Sequence, residues 1–267
     1  MDKIWREGFT KDEMFELLLS RVGIGQTGLV MAEPDGNSVR KAPIPWHSDN
    51  YQVFELKQLR REIEIYHALP SEHPRLVRLL SYTDDGQRDV SLILERMPQG
   101  RLDEYLVGGC NHTKPSEEQL ARGRAIPLRQ RCSWALEMAD GLAMLHAHEV
   151  VHGDFKPENM VLDSRFRLRL IDFSGSSLRG SPALTLESAP YYMPRTADAR
   201  IVGDMGCSVT TDLFALGSSL FHVEVGFAPW HPLRHRDVEE RYERGEFPDL
   251  QTAGLDGAAL PLTRSRR

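Results

Sequence analysis

Basic residues are in short supply in this chain of 267 residues: Lys and Arg total 33 against 39 Asp and Glu, a net charge of −6. Sequence-independent binding to DNA or RNA rests on a basic footprint over phosphates, so no nucleic-acid partner is expected. Cysteine is scarcer still. Cys110, Cys132 and Cys207 lie far apart and form no CxxC or Cys/His metal spacing. An odd, scattered set fits a reducing interior, with the thiols free and mostly buried. No apolar run approaches the roughly 20 residues that cross a bilayer. The first twenty residues hold Asp2, Glu7, Asp12, Glu13 and Glu16, which speaks against a secretory signal. The expected location is therefore intracellular, cytoplasmic or nuclear, with no membrane partner, and the sequon Asn111-His112-Thr113 reads as chance. Internal repeats and low-complexity blocks are missing too. What remains is 40% hydrophobic, an ordinary globular content, on a chain long enough for one large domain or two lobes.

The first hundred residues read as strand-rich with one prominent helix. Leu17-Leu18-Leu19 leads into strands around glycines, and Asp35-Gly36-Asn37 reads as a hairpin turn before Val39-Arg40-Lys41. Leu56, Leu59, Ile63 and Tyr66 recur at helical spacing within 53–69, and Pro70 ends the pattern. Two strands are expected from Leu76 to Leu80 and from Val90 to Leu94. The polar stretch 108–126 reads as a loop or insertion. Pro127 suits a first helical position, and Leu128, Cys132, Leu136, Ala139, Leu142 and Leu145 then form one helical stripe. Met160-Val161-Leu162 and Phe166 to Leu170 read as a hairpin around Asp163-Ser164, with arginines on the outer face. Residues 174–200 read as a loop and 212–225 as a buried apolar helix. No pattern is evident after Pro248.

Two segments carry chemistry. Gly23-Ile24-Gly25-Gln26-Thr27-Gly28-Leu29-Val30 is GxGxxGxV, and glycines let a hairpin bring its backbone amides close to phosphate oxygens. Alone, it fits equally a glycine-rich turn with no ligand. A Rossmann reading needs a helix opening at the third glycine, whereas a strand and a hairpin turn come next here. The second segment is His152-Gly153-Asp154-Phe155-Lys156-Pro157-Glu158-Asn159, with Asp172-Phe173 beyond it. Carboxylate and amide oxygens are hard ligands suited to Mg²⁺. A solvated loop of turn-forming residues is the plainer alternative. His146 and His148 read as capping or solvated groups, and Trp134 and Trp230 as packing residues.

Taken together, these segments resemble the eukaryotic protein kinase family. Asp154, Lys156 and Asn159 match its catalytic loop, and Asp172-Phe173 matches the start of its metal-binding DFG motif. Val39-Arg40-Lys41 matches the strand with the ATP-binding lysine. Glu62 lies where that lysine's partner is placed. Leu92 to Met97 is similar to the adenine-holding strand and hinge, Ala189 to Arg195 to the end of the activation segment, and Asp212 to Gly217 to the buried helix whose Asp braces the catalytic loop. HGDxKPEN and YYMPR resemble divergent fungal kinase-like proteins in particular.

The resemblance implies an α+β, two-lobed fold: an N-lobe with a small antiparallel sheet over 1–97, a mainly helical C-lobe over 98–250, and an irregular tail over 251–267. It implies ATP and Mg²⁺, with a protein substrate. Asp154 would accept the proton of the substrate hydroxyl and Lys156 would steady the phosphoryl group. Asn159 and Asp172 would hold Mg²⁺. Gly23, Gly25, Gly28, Val30, Lys41, Glu62, Glu95 and Met97 would bind or position the nucleotide. Lysine two residues after the catalytic Asp implies Ser/Thr substrates.

Three departures bear on this. Gly153 stands in place of the arginine that pairs with a phosphorylated activation loop, so such control is not expected. Ser174 replaces the glycine of DFG, which restricts the backbone flip or moves it to Gly175. Arg195 stands in place of a glutamate whose partner is an arginine on a late helix, and that helix is expected to be missing. Apolar C-lobe surface would then be left uncovered, at about 25 cal/mol per Å². The expectation is marginal stability, or a partner that covers this face. Two other functions stay open: a pseudokinase or scaffold that binds nucleotide without efficient catalysis, and a small-molecule phosphotransferase, because aminoglycoside- and choline-kinase-like enzymes share an HGDxxxxN loop.

Overall fold

The computed structural model describes residues 21–25, 28–107, 116–195 and 206–249. Expectations about Leu17 to Leu19, Gln26-Thr27, Cys110, the 111–113 sequon and everything from 250 on, including the missing late helix, lie outside the described residues.

The chain opens with strands β1 (Arg21–Gly25), β2 (Gly28–Ala32) and β3 (Ser38–Ala42). The β2–β3 turn is set by Asp35, whose Oδ1 accepts from the amides of Asn37 and Ser38, both at 2.9 Å, with Gly36 at φ +69°. Helix α1 (Asp49–Ala68) comes next, then β4 (Leu79–Asp84) and β5 (Val90–Glu95). The five strands form one antiparallel sheet in the order β1-β2-β3-β5-β4. Val30 pairs with Lys41, and Lys41 with Leu92. Helix α1 turns Leu56, Leu59, Ile63 and Tyr66 inward at the expected spacing. The expected strand start at Leu76 is corrected. Leu76 instead bridges Leu170, and Leu170 N donates to Arg75 O at 2.8 Å, so this stretch ties the sheet to the second half of the chain.

The second half is mainly helical. It comprises α2 (Leu102–Val107), α3 (Glu117–Arg124), α4 (Leu128–Ala147), α5 (Val209–Val225) and α6 (His235–Glu243). Short strands lie between α4 and α5: β6 (Val150–Val151), β7 (Met160–Leu162), β8 (Leu168–Leu170) and β9 (Ser177–Leu178). β7 pairs with β8 as expected. β6 pairs with β9, and a 3₁₀ turn covers Ala189–Tyr191, so 174–195 is not plain loop. The result is an α+β fold. A continuous core runs from Val39 and Leu92 through Tyr66 and Phe173 to Leu142, Met160 and Val223.

Three further expectations are corrected. Part of 108–126 is helical: α3 is capped by Ser116, whose side chain and amide exchange hydrogen bonds with Gln119 in a capping box. The stripe on α4 holds only at its C-terminal end: Leu142 and Leu145 are buried, whereas Leu136 is 73% and Leu128 50% exposed and Trp134, Glu137, Met138 and Gly141 face inward. Glu137 can be buried because it accepts from Leu168 N at 2.7 Å and pairs with Arg75 at 3.1 Å. At Gly141 an added Cβ would come within 2.8 Å of Leu170 Cδ1, so the helix packs closely on β8 there and a larger residue would have to displace the Leu170 side chain. Finally, Cys132 is exposed and Cys207 half-buried, both free. Among the described residues, no helix is long and apolar enough to cross a membrane.

Candidate active site

Lys41 projects from β3 into the interior and is 6% exposed. Its Nζ lies 2.6 Å from Glu62 Oε2 on α1 and 2.6 Å from Asp172 Oδ1, just past β8. Burial works against the ammonium, but Asp172 and Glu62 outweigh it and hold its pKa above the ordinary lysine value. Burial also opposes charge on Asp172, yet Lys41 and the Ser174 hydroxyl keep that carboxyl well below the usual range. Glu62 goes the other way: burial pushes it up, and Lys41 only partly counters this. Asp172 has φ +65°, a left-handed backbone that costs about 1–3 kcal/mol in a non-glycine residue. Its hydrogen bonds offset that cost. Ser174 Oγ donates to Asp172 Oδ1 at 2.6 Å, so the departure from DFG supplies a direct tether.

The loop after β6 is held from beneath by Asp212 on α5. Its buried carboxylate accepts from His152 N at 2.8 Å and Gly153 N at 3.0 Å, and meets His146 Nε2 at 2.8 Å. His146 is thus a partner of Asp212, a correction to the capping or solvated reading; the end of one helix and the buried start of another meet only in three dimensions. The His148 ring bonds Met144 O at 2.8 Å. The His152 ring packs on Phe173, centroids 5.6 Å apart, and Phe173 on Tyr66 at 5.4 Å. These ring contacts join the loop, the Asp172 segment and α1 in one stack.

Asp154 and Lys156 then face each other, with Nζ 2.7 Å from Asp154 Oδ2. Asn159 Nδ2 donates to Asp154 O at 2.8 Å. Sequence reasoning missed Ser188. Its amide and hydroxyl both donate to Asp154 Oδ1, at 3.0 and 3.1 Å, and its Oγ accepts from Lys156 Nζ at 2.5 Å. The only signal was its position just before Ala189-Pro190-Tyr191. Glu158 was also passed over. Burial and the neighbouring Asp103 push its carboxyl up to about 7.

Asp154, Lys156, Asn159, Asp172, Ser188 and Gly25 line one cleft of about 610 Å³. Gly28 has a steric reason to be glycine: an added Cβ would come within 2.7 Å of Ala42 O. Gly23 has open space around it. Val30 packs against the core beside Lys41. Met97 is buried in the core. The Glu95 carboxylate is engaged by Arg78 at 3.1 Å, and its amide donates to Arg78 O at 3.0 Å. Lys41 and Glu62 stand behind Asp172 and do not line this cleft.

A five-stranded antiparallel sheet over a helical half, with a buried Lys–Glu–Asp cluster above a carboxylate-bearing loop, gives an α+β architecture of two lobes. The model of the protein kinase domain matches residues 18–251, and the chain belongs to that family. It is 28% identical over 185 residues to a probable receptor-like protein kinase of Arabidopsis thaliana, an alignment covering 68% of this chain and 48% of that protein. The chain thus spans about half the length of this curated relative.

Proposed function

We propose that this chain is a catalytically competent, ATP- and Mg²⁺-dependent protein kinase acting on Ser and Thr hydroxyls. The observation that carries the reading is the ring of short contacts among Asp154, Lys156 and Ser188, set in one cleft with Asp172. Phosphoryl transfer asks for positioning and charge neutralisation, and little covalent chemistry of the protein. The Asp154 carboxylate is an oriented acceptor for a hydroxyl proton. Lys156 carries a fixed positive charge beside it, where negative charge builds on the transferring group. Lys41, held by Glu62, is an ammonium suited to phosphate oxygens. Asn159 and Asp172 fit a hard divalent cation, because the amide nitrogen of Asn159 is engaged with Asp154 O and the Asp172 carboxyl is held ionised. Mg²⁺ bound there would neutralise phosphate charge. The Ser/Thr preference rests on Lys156 and its contact with Ser188.

The test is γ-phosphate transfer from ATP to a generic protein substrate by the wild type and by Asp154→Asn. Transfer to Ser or Thr, lost in the variant, supports the proposal. Nucleotide binding with no transfer by either form would point to a scaffold, and transfer only to small alcohols to a small-molecule phosphotransferase.

A further inference from the structure

Arg195 stands where the resemblance implies a glutamate, and the structure gives it a partner of its own. Its NH1 and NH2 donate to Glu187 Oε2 and Oε1 at 3.0 and 2.6 Å, a bidentate fork on one carboxylate. The two side chains are 10% and 1% exposed. Arg195 NH2 also reaches Gly206 O at 3.3 Å, and the guanidinium lies 4.9 Å above the Tyr192 ring. At Gly206, φ +58°, an added Cβ would come within 3.0 Å of Arg195 Nε, so the backbone there is fitted to this arginine.

The pair closes a short loop of chain, and that loop carries Ser188, the residue bonded to Asp154. The rest of the loop is anchored on its far side. Tyr191 OH meets His222 Nδ1 at 2.7 Å, and Tyr242 OH donates to Pro190 O at 2.9 Å. Those anchors hold the turn from α5 and α6. The Glu187–Arg195 fork holds the stem next to Ser188.

We propose that Glu187 and Arg195 are positioning residues for phosphoryl transfer: their ion pair fixes the stem of the 187–195 loop and thereby holds Ser188 against Asp154 and Lys156. The pairing is internal to the segment, so it needs neither a late helix nor a phosphate. The catalytic part of this inference rests on the protein-kinase reading above; the structural part does not.

Two measurements on the full chain keep these apart. The first is hydrogen exchange of the Ser188 amide in the wild type, Arg195→Lys, Glu187→Gln and the charge-swapped Glu187→Arg/Arg195→Glu double variant. The single variants are expected to speed exchange at Ser188 at least about tenfold, with the His152 amide unchanged, and the swap to recover most of the protection. The second is steady-state kinetics. The single variants should lower kcat/KM for protein substrate about tenfold or more, with nucleotide affinity within about twofold of wild type. A merely structural role would speed exchange at Ser188 no more than elsewhere, lower the melting temperature, and leave kinetics per folded molecule unchanged; that result overturns the proposal. Unaltered Ser188 exchange in Arg195→Lys and Glu187→Gln overturns it as well. Should the swapped chain not fold, those two single variants decide the matter. A wild type that transfers no phosphate while its Ser188 exchange responds as stated would refute the kinase reading and leave the clamp standing.

Discussion

The hydroxyl of Ser188 sits between Asp154 and Lys156, 3.1 Å from the carboxylate oxygen to which it donates and 2.5 Å from the ammonium nitrogen. It shares that oxygen with its own amide, 3.0 Å away. One side chain of the 187–195 stretch thus fixes two side chains of the 152–159 loop, which are also joined by their own ion pair. Ser188→Ala removes the hydroxyl and keeps the amide bond. We expect kcat to fall about 10- to 100-fold, with nucleotide affinity unchanged, because misplacing a reacting group by even an ångström is costly in rate. Ser188→Thr keeps the hydroxyl and should retain most activity. Steady-state kinetics on both variants checks this, and equal activity in Ser188→Ala would contradict it.

Lys41 balances two carboxylates, so its removal should cost stability as well as function. Lys41→Met leaves Glu62, fully buried, facing Asp172 without this cation. Breaking a buried pair on one side costs about 3–5 kcal/mol, whereas replacing both partners by apolar groups is often close to neutral. Lys41→Met should therefore melt well below wild type, and Lys41→Met/Glu62→Leu should regain much of the loss. Neither should transfer phosphate. Thermal melts of the two variants separate the contributions: a double variant no more stable than the single would show that the pair is not the cause.

Glu158 provides a pH test. Burial and Asp103 raise its carboxyl from 4.5 to about 7, with Lys156 opposing and Asp154 adding to the rise. The folded protein holds this proton to higher pH than the unfolded chain does. The stability it contributes is therefore greatest below about 4.5, falls as pH rises toward about 7, and stays low above that. Glu158→Gln removes the titration. We expect the variant to melt above wild type at pH 8 by several degrees, at about 2–4 °C per kcal/mol for a chain of this size, and to come close to it near pH 4. The same difference at both values would refute the assignment.

Residues singled out through the resemblance meet in the fold: Lys41 and Glu62 contact each other beside Asp172, and Asp172 shares a cleft with Asp154 and Asn159. Ser188 was not legible, since a serine carries no signal until its neighbours across the cleft are known. Helix α3 reads as loop in the sequence because it buries no side chain and so shows no apolar period; its capping box holds it. The inward face of α4 is hidden from an apolar pattern because Glu137 lies inside, satisfied by Arg75 and a strand amide. Arg195 stands out as a departure, but its partner Glu187 becomes visible only when the segment folds back on itself.

Gly153 is the departure whose reason the structure gives most directly. Its φ is +75°, its amide donates to Asp212 at 3.0 Å, and an added Cβ would lie 3.2 Å from Cys207 Sγ. Two independent demands, backbone and space, therefore favour glycine at the position where the family resemblance implies arginine. Introducing that arginine should harm this protein. Gly153→Arg forces a left-handed backbone on a long side chain, at about 1–3 kcal/mol, and adds the contact with Cys207. Cys207→Ala removes only the contact. We expect Gly153→Arg to lower the melting temperature by several degrees, and Gly153→Arg/Cys207→Ala to regain part of that loss and no more, since the backbone strain remains. Full recovery in the double variant would assign the whole effect to the thiol. No loss in the single variant would mean that neither demand operates, and that glycine stands there for some other reason than the loop's own geometry.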